Sequence, residues 1–259
     1  MELGINGKRA LVTGASRGIG RSVVKCLARE GVIVSAVARS ANEVDHLIKS
    51  IGGTEEGHLG VAMDMVPKGA PEELYDKLNT KKSNPIEIVF HNLGGTLNIT
   101  DPLCSVEDWR DIWRLNMEIA LTLNKLLIPK MKEKKWGRII HNSSIASMEN
   151  QGPVPYCAVK AALTAYTRSM GRVLAPDGIV MTAVLPGAVF TEGGYWDIAS
   201  TERPEHVEKY LEDRMAIHRF GKPDEIGNFV VFLCSEQASF CTGSIIPIDG
   251  GQGRGFFGQ

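Results

Sequence analysis

Residues 9–20 of the chain read Arg9-Ala-Leu-Val-Thr13-Gly14-Ala-Ser-Arg17-Gly18-Ile-Gly20. The first five residues form an apolar run that predicts a buried strand, and the amphipathic stretch from about residue 18 to residue 30 predicts a helix. Three glycines lie at the junction in a GxxxGxG spacing. Because glycine permits a sharp turn and leaves room for another group to approach the backbone, the stretch predicts a strand–turn–helix unit with an open turn.

The rest of the chain repeats this alternation of short apolar runs and longer amphipathic stretches. Further strands are predicted at residues 32–38, 59–63, 86–91, 137–142, 180–185 and 244–248, and long helices at about 106–134 and 155–174. Near-continuous apolar strands separated by helices indicate a parallel sheet covered on both faces. With right-handed crossovers, the pattern predicts one α/β domain over residues 1–259, a doubly wound parallel sheet of Rossmann type with about seven strands.

The glycine turn predicts a site for a dinucleotide. The N–H groups at the start of the following helix attract negative charge, and the glycines allow a pyrophosphate to come close to them. Glycine-rich strings also serve ordinary turns and helix packing. This one stands between the first predicted strand and the first predicted helix, which is the context that a dinucleotide-binding motif requires.

The end of the second predicted strand indicates which dinucleotide is preferred. Enzymes that use NAD usually carry an acidic residue there for the ribose 2′-hydroxyl, whereas a nearby arginine accommodates a 2′-phosphate. This chain has Ala38 followed by Arg39, and Arg17 lies within the glycine turn. Two arginines and no carboxylate favour NADP(H), although each arginine alone would also suit an ordinary surface charge.

Tyr156 and Lys160 form a candidate acid–base pair. Their four-residue spacing at the start of a predicted helix places both side chains on one helix face. A free tyrosine has a pKa of about 10, and a neighbouring ammonium group lowers that pKa towards neutrality. Tyrosine and lysine at this spacing also occur in ordinary packed helices. The position of the pair favours the acid–base interpretation, because the pair follows a predicted strand that ends in Ser143-Ser144.

These motifs resemble those of the short-chain dehydrogenase/reductase family over almost the whole chain, with strong overall likeness to the 3-oxoacyl-carrier-protein reductase branch. The matching segments are residues 13–20, His91-Asn92-Leu93-Gly94 in place of Asn-Asn-Ala-Gly, Asn116, Ser144, Tyr156, Lys160, Pro186-Gly187, Thr191, residues 219–225 and residues 243–251. The resemblance implies an oxidoreductase that interconverts a carbonyl and a secondary alcohol by hydride transfer with NADP(H).

The resemblance also implies roles for individual residues. Tyr156 would be the general acid in reduction and the general base in oxidation, and Lys160 would lower its pKa and bind the nicotinamide ribose. Ser144 would polarise the carbonyl group, and Asn116 would hold a water that links Lys160 to solvent. The implied cofactor-binding residues are Gly14, Ser16, Arg17, Gly18, Ile19, Gly20, Arg39, Asp64, Asn92, Gly94, Tyr156, Lys160, Pro186, Gly187, Val189 and Thr191.

Three features depart from the family pattern. Ser144 precedes Tyr156 by twelve positions where the family usually has thirteen, which leaves Ser143 as the alternative catalytic serine. His91 replaces the first asparagine of Asn-Asn-Ala-Gly, and Asn142 stands where an aliphatic residue is common. Polar residues at strand ends are more often held by structural hydrogen bonds than catalytic, so neither is given a role.

Residues 190–220 interrupt the alternation of strands and helices. The segment is rich in glycine, aromatic and charged residues, and it follows the carboxyl end of a strand, where open α/β sheets bind ligands. Long loops in compact domains are usually functional, so we expect a substrate lid with a short helix near residues 204–215, with a plain surface excursion as the alternative. The candidate cleft walls, residues 148–151 and 192–197, would suit a polar, sugar-like or cyclic substrate as well as a long acyl chain.

Composition narrows the classes of partner. With 29 basic and 30 acidic residues, the chain has no basic field for nucleic acid. Five cysteines without a Cys-x-x-Cys pair suit a reducing compartment, and no stretch resembles a signal peptide or a membrane span. We therefore expect a cytoplasmic protein without nucleic-acid or membrane partners. No metal site is expected, because His91 and His141 have no cysteine or carboxylate at ligand spacing.

Some alternatives stay open from the sequence. The apolar faces of the two long predicted helices permit the homotetramer, or homodimer, that the resemblance implies. The activity could be that of a 3-oxoacyl-carrier-protein reductase specifically; Lys134 and Lys135 would supply basic surface for the carrier, but Asp177 lies where that branch often carries a base. The alternative from another class is a non-catalytic NADP-binding regulator. The tail at residues 253–259 would either close a neighbouring subunit's cleft or be mobile.

Overall fold

Strands and helices alternate along the chain in the computed structural model, which describes residues 1–78, 85–150 and 152–255. In chain order the elements are β1 (Arg9–Thr13), α1 (Gly18–Arg29), β2 (Ile33–Ala38), α2 (Ala41–Lys49), β3 (Leu59–Ala62), α3 (Ala70–Leu78), β4 (Ile88–His91), α4 (Val106–Trp113), α5 (Ile119–Lys134), β5 (Gly137–Asn142), α6 (Val154–Leu174), β6 (Ile179–Pro186), α7 (Tyr195–Glu202), α8 (Pro204–Arg214), α9 (Pro223–Leu233) and β7 (Ile245–Ile248).

The seven strands form one sheet in the order β3-β2-β1-β4-β5-β6-β7, and every neighbouring pair is parallel. The strand order reverses between β1 and β4. In such sheets the crossover connections leave in opposite directions at the reversal, so a crevice opens at the carboxyl ends of these two strands. The predicted doubly wound parallel sheet is confirmed, and each predicted strand lies within two residues of its observed bounds.

Two apolar layers cover the faces of the sheet. One layer packs α1 and α9 on the sheet through buried side chains such as Val23, Leu27 and Val230. The other packs α3 and α5 on the opposite face through Leu74, Leu123 and related residues. Burying one such side chain fully contributes about 1.5–3 kcal/mol. Because both faces are covered, polar side chains can reach solvent mainly at the two edges where strands begin and end.

The long helix predicted over residues 106–134 is interrupted. α4 ends at Trp113, and residues Arg114–Glu118 form a wider π-helical turn before α5 begins. Within that turn, the Asn116 side-chain amide donates to the carbonyl of Ile112 at 2.9 Å, in competition with the helical ladder. Such turns often occur at functional sites. The periodicity of the apolar residues continues through the turn, which is why the sequence predicts one helix.

The segment predicted as a lid contains two helices, whereas the sequence predicts one near residues 204–215. α8 corresponds to the predicted helix, and α7 precedes it, with Arg203 between the two. α7 was not predicted because Gly193 and Gly194 come just before it and its apolar residues show little helical periodicity. Of the predicted cleft-wall and tail residues, Gln151 and residues 256–259 lie outside the described residues.

The amino end of the sheet carries a cluster of paired charges around Trp136. The Lys8 Nζ and Arg138 guanidinium lie 4.0 and 4.4 Å from the indole ring centroid. Arg138 is 2% exposed, donates to the carbonyls of Ser235 and Gly137, and lies 3.7 Å from a Glu236 carboxylate oxygen. The indole Nε1 donates to Glu236 at 2.7 Å. Every charge in this cluster has an opposite charge, a carbonyl or an aromatic face beside it.

Candidate active site

The predicted functional residues come from five elements that meet at the carboxyl edge of the sheet. The glycine turn follows β1, Asn92 follows β4, and Ser144 follows β5. Tyr156 and Lys160 lie in the first two turns of α6, and Gly187 follows β6. Parallel strands end at the same edge of a sheet, so residues far apart in sequence come close together here.

The glycine turn has the shape that a pyrophosphate requires. Gly14 and Gly18 have φ values of 63° and 54°, a left-handed conformation that favours glycine. A Cβ on Gly20 would lie 2.6 Å from the Asn92 side-chain nitrogen, so no larger residue fits there. The first turn of α1 has no side-chain cap, and its N–H groups are left to an outside acceptor. These features fit a bound dinucleotide phosphate.

Hydrogen bonds of Asn92 and Asn142 connect the glycine turn with helix α6. The Asn92 amide donates to the Gly14 carbonyl at 2.8 Å, and the Asn142 amide donates to the Asn92 side-chain oxygen at 2.9 Å. The backbone carbonyl of Asn142 accepts from the Lys160 ammonium at 2.8 Å. Asn142 was given no role from the sequence. The sequence feature that could have indicated a role is the presence of a polar residue, Asn142, at a position where an aliphatic residue is common.

Asn116 and Lys160 converge above Gly94. A Cβ on Gly94 would lie 2.7 Å from the Asn116 side-chain oxygen and 2.9 Å from the Lys160 Nζ, so the absence of a side chain there lets both groups reach the same point. The Asn116 side chain is held in place by the backbone N–H and carbonyl of Gly95, at 3.0 and 2.9 Å. The π-helical turn therefore serves to present Asn116 beside the lysine.

Burial dominates the protonation of the Tyr156–Lys160 pair. The Lys160 Nζ lies 5.5 Å from the centroid of the Tyr156 ring, and the lysine is 2% exposed. Burial lowers the pKa of Lys160 to about 8. Burial also raises the pKa of Tyr156 to about 12, against a lowering effect of the hydrogen bond with Ser144 and alongside a smaller raising effect of Cys157. The net shift is thus opposite to the lowering expected from the lysine, because withdrawing the phenol from water disfavours its anion.

The two candidate serines point in different directions. The Ser143 hydroxyl is buried and donates to the backbone carbonyl of Lys160 at 3.2 Å. The Ser144 hydroxyl accepts from the Ala146 N–H at 3.1 Å and hydrogen-bonds with Tyr156. Only Ser144 shares a hydrogen bond with the candidate acid, so the geometry favours it despite the spacing of twelve.

His91 and His141 belong to a buried hydrogen-bond network behind Lys160. Their rings stack with centroids 5.0 Å apart, and Asn124 contacts the Nε2 atoms of both, at 2.8 and 3.3 Å. The Thr167 hydroxyl donates to the Leu163 carbonyl, so it accepts from His141 Nδ1 at 2.9 Å. Burial lowers the pKa of His91 to about 4 and moves the pKa of His141 well below its usual value. Both histidines are therefore neutral and structurally held, as expected for strand-end residues.

The remaining predicted cofactor residues surround the same edge. Arg39 is exposed at the end of β2, and the Arg17 guanidinium donates to the Gly193 carbonyl at 2.9 Å. The side chain of Thr191 lies against Gly18, 2.8 Å from a Cβ built there. The other positions at or next to this edge are Ser16, Ile19, Asp64, Pro186, Gly187 and Val189. Within the described ranges, no group of three or more His, Cys, Asp and Glu side chains is placed to hold a metal ion.

The sheet, the glycine turn and the Ser–Tyr–Lys group at one edge define the class of dinucleotide-dependent oxidoreductases. A family model described as enoyl-(acyl carrier protein) reductase matches residues 14–252. Together with the relatives below, this match shows that the chain belongs to the short-chain dehydrogenase/reductase family.

Three known proteins illustrate the likeness. The chain is 32% identical over 254 residues to a 3-oxoacyl-[acyl-carrier-protein] reductase of Aquifex aeolicus, covering 97% of this chain and 99% of that one. L-sorbose reductase from Gluconobacter frateurii, solved with NADPH and L-sorbose, has a TM-score of 0.90 and 28% identity over 99% of this chain and 100% of that one. A 7α-hydroxysteroid dehydrogenase, solved with NADH and 7-oxo glycochenodeoxycholic acid, has a TM-score of 0.86 and 27% identity over 98% and 97%.

Membership in this family makes the chain an oxidoreductase that interconverts a carbonyl and an alcohol with a nicotinamide cofactor. The conformation of the glycine turn, and the space left by the absence of a side chain at Gly94, fit such a cofactor. No helix within residues 1–78, 85–150 and 152–255 is long and apolar enough to cross a lipid bilayer.

Proposed function

We propose that the chain is an NADP(H)-dependent reductase of a small carbonyl compound, with Tyr156 as general acid, Ser144 as carbonyl-binding group, and Lys160 and Asn116 as their support. The observation that carries the proposal is the convergence of these four side chains, from three elements, beside the glycine turn. Residues 190–220 act as the substrate lid in this proposal.

The protonation states suit reduction. With a pKa of about 12, Tyr156 holds its proton at neutral pH and can donate it to the oxygen of a reacting carbonyl. The Ser144 hydroxyl, already hydrogen-bonded with Tyr156, would stabilise the same oxygen as negative charge develops on it. The bound nicotinamide would supply the hydride. Lys160, with a pKa of about 8, is mostly protonated at neutral pH and stabilises the tyrosinate left after proton transfer.

The supporting residues hold the lysine rather than touch the substrate. The Asn142 carbonyl accepts from the Lys160 Nζ, and Asn116 reaches the same region above Gly94. The Lys160 ammonium has no carboxylate within salt-bridge distance among the described residues, so its protonation can respond to the state of Tyr156. This arrangement would let the lysine return a proton after each turnover.

The assay for this function is NADPH oxidation with a panel of carbonyl compounds, including L-sorbose, a 3-oxoacyl thioester and a 7-oxo bile acid. Tyr156→Phe should bind NADPH normally and lose about 10²- to 10⁴-fold in turnover, because the general acid is removed. Tyr75→Phe on α3 is the matched control and should keep full activity. Normal NADPH binding without turnover of any compound by the wild type would instead favour the non-catalytic regulator.

The preference for NADP(H) over NAD(H) rests on Arg39 and Arg17. Arg39 is exposed at the end of β2, next to Ala38 where an NAD enzyme usually carries an acid. The sorbose reductase was solved with NADPH, whereas the steroid dehydrogenase was solved with NADH, so relatives with this fold differ in preference. The local residues must therefore decide it.

Arg39→Asp, with Ala38 kept, should weaken NADPH binding by about tenfold or more and leave NADH binding much less affected. A lost bond to a charged phosphate and a new like charge both act on the 2′-phosphate only. Fluorescence titration with each dinucleotide measures this, and Arg172→Asp at the far end of α6 is the control. Equal weakening for both dinucleotides would remove Arg39 from the 2′-phosphate site.

A specific observation bears on the alternative substrate, an acyl group on an acidic carrier protein. Lys132 and Lys135 pair with Asp177 at 2.9 and 2.8 Å, and these bonds lower the pKa of the Asp177 carboxyl. Lys134 lies 3.7 Å from Glu87. Because Glu87 precedes β4 and Asp177 precedes β6, these lysines lie at the amino end of the sheet, opposite the end that holds Tyr156 and Ser144. They are therefore not placed beside the cleft as basic surface for an acidic carrier, and the two carboxylates offset part of their charge. We expect a free 3-oxoacyl thioester to react as fast as the carrier-bound one, and a large advantage for the carrier would contradict the small-molecule proposal.

A homotetramer or homodimer and a cytoplasmic location complete the proposal. The supporting observation for assembly is a set of exposed apolar side chains, with Val106 at 61%, Val173 at 60% and Phe240 at 100% exposure in the single chain. Light scattering after size-exclusion chromatography measures the mass of the assembly. A monomer at micromolar concentration would contradict it.

A further inference from the structure

The segment that follows β7, residues 249–255, turns back into the protein and lies between the loop that carries Glu149 and helix α8. Gly250 and Gly251 have φ values of 62° and 76°, and the Asp249 carboxylate accepts from the N–H groups of Gly251 and Gly253 at 3.1 and 2.8 Å. This turn directs the next side chain, Gln252, inward, where it is 3% exposed.

The Gln252 amide connects the loop after β6 with the lid. Its oxygen accepts from the Ala188 N–H at 2.8 Å, and its nitrogen donates to the Tyr210 hydroxyl on α8 at 2.5 Å. The approach is close, because a Cβ on Gly187 would lie 2.7 Å from the Gln252 oxygen. One buried, planar amide therefore bonds both the loop that begins at Pro186-Gly187 and the helix that covers the cleft.

A second connection joins the same segment to the loop that carries Ser144. The Glu149 carboxylate accepts from the backbone N–H groups of Arg254, at 3.0 Å, and of Gly255. The Arg254 guanidinium donates to the carbonyl of Asp213 near the end of α8, at 2.6 Å. The segment 252–255 thus contacts α8 at two points one turn apart, which fixes the direction of the helix as well as its distance from the cleft.

Tyr210 connects the two lid helices, α7 and α8, so that they would move together. Its ring lies 4.3 Å from the Trp196 ring on α7, and Trp196 lies 4.8 Å from Phe220 at the end of the lid. A displacement of Tyr210 would therefore be passed to both lid helices by packing contacts. The hydroxyl of Tyr210 faces the Gln252 amide, so these contacts connect the lid to the loop after β6.

We propose that Gln252 is a positioning residue that couples the loop at Gly187-Ala188 to the substrate lid, so that binding of the dinucleotide fixes α8 over the cleft. The inference rests on the proposed function, with Pro186 and Gly187 among the residues that bind the dinucleotide. A rotation of the peptide between Gly187 and Ala188 either breaks the bond to the Gln252 oxygen or moves the amide end that holds Tyr210. Coupling of this kind is reciprocal, so a closed lid also strengthens dinucleotide binding.

Hydrogen–deuterium exchange of the full-length chain, with and without NADPH, tests this coupling without a known substrate. In the wild type, NADPH should slow exchange of the amides in residues 204–214 by about tenfold, a usual size for coupling between two sites. Gln252→Met has a similar length and makes neither bond, so NADPH should no longer slow exchange in α8. Gln237→Met, at an exposed glutamine next to Glu236 at the amino end of the sheet, is the matched control.

Two further variants separate coupling from a general loss of structure. Gln252→Glu should retain the response, because its two oxygens can accept from the Ala188 N–H and from the Tyr210 hydroxyl. Tyr210→Phe removes only the bond at the lid and should lose the response while the bond to Ala188 stays. Unchanged slowing in Gln252→Met or Tyr210→Phe would overturn the proposal, as would a wild type that binds NADPH without any change in α8. A wild type that fails to bind NADPH would overturn the cofactor assignment itself.

Discussion

Arg138 and Lys160 are cations of equal burial at opposite ends of the same sheet, each 2% exposed. At the amino end, Arg138 donates to three backbone carbonyls and has Glu236 and the Trp136 ring beside it. At the carboxyl end, Lys160 donates to one carbonyl among the described residues, that of Asn142. Burial lowers the pKa of both, but only for the arginine does a carboxylate act in the opposite direction.

We expect this difference to separate a structural charge, Arg138, from a reactive one, Lys160. A buried charge with several partners stays in one protonation state and contributes to the fold. A buried lysine without a carboxylate partner loses its proton more readily, which costs stability but makes the proton available. The same substitution at the two cations, to methionine, therefore tests the comparison directly.

The largest effect is expected for Lys160→Met. Turnover should fall by about 10²- to 10⁴-fold, since Tyr156 loses the cation that stabilises its anion. Stability should rise by about 1–2 kcal/mol at pH 7. Removing a buried lysine whose folded pKa is about 8 instead of 10.5 contributes about 3 kcal/mol, and loss of the donor to the Asn142 carbonyl offsets about 1–2 kcal/mol of it.

The contribution of Lys160 to the free energy of unfolding should also depend on pH. Between pH 8 and 10.5 the unfolded chain binds the Lys160 proton and the folded chain does not, so wild-type stability should rise with pH in this window. In Lys160→Met this contribution should be absent. Urea unfolding at several pH values from 7 to 10.5 measures it, and a variant that is less stable than the wild type at pH 7 would contradict the interpretation.

The next effect concerns the neutral histidines behind Lys160. Burial lowers the folded pKa of His91 from 6.5 to about 4, so below pH 6.5 the unfolded chain binds the extra proton first. Stability should then fall as the pH drops from 6.5 through 4, with about 3 kcal/mol from His91 alone. His91→Asn should reduce this acid sensitivity, whereas His206→Asn on the exposed face of α8 should not. An unchanged slope in His91→Asn would remove the histidine from the acid transition.

The smallest of the three effects belongs to the amino end. Arg138→Met leaves the buried carbonyls of Gly137 and Ser235 without their donor and should lower the free energy of unfolding by about 2–3 kcal/mol. Because the cluster lies at the edge remote from Tyr156, the pH profile of turnover should be unchanged. Arg172→Met, at an exposed arginine, serves as the control. A shifted pH profile would mean that the two ends of the sheet are not independent.

Much of the fold and the site could be predicted from local patterns. The strands are short apolar runs, and each is bounded by residues that favour turns, so their limits were predicted within two residues. The glycines at 14, 18 and 20 have conformations or close contacts that favour glycine, which is why their spacing is informative. Tyr156 and Lys160 are neighbours on one helix, so their contact is also a local property.

Other features depend on contacts between distant segments and have no local signal. The π-helical turn forms because the Asn116 side chain bonds both Ile112 and Gly95, and Gly95 is 21 residues away. Asn142 acquires a role only when the sheet brings it beside Asn92, and Gln252 only when the chain returns to Ala188, 64 residues earlier. The helix α7 is stabilised by Trp196 packing on Tyr210 and Phe220, not by its own periodicity.

The sequence by itself determined the parallel sheet, the glycine turn and the placement of Tyr156 and Lys160 on one helix, because each follows from the spacing of residues within one or two elements. The tertiary structure decided the chemistry of that pair. Proximity in sequence predicted a lowered pKa for Tyr156, but the packed protein partly buries the phenol and raises its pKa to about 12. Desolvation depends on every element that surrounds a group, and only the folded chain brings those elements together.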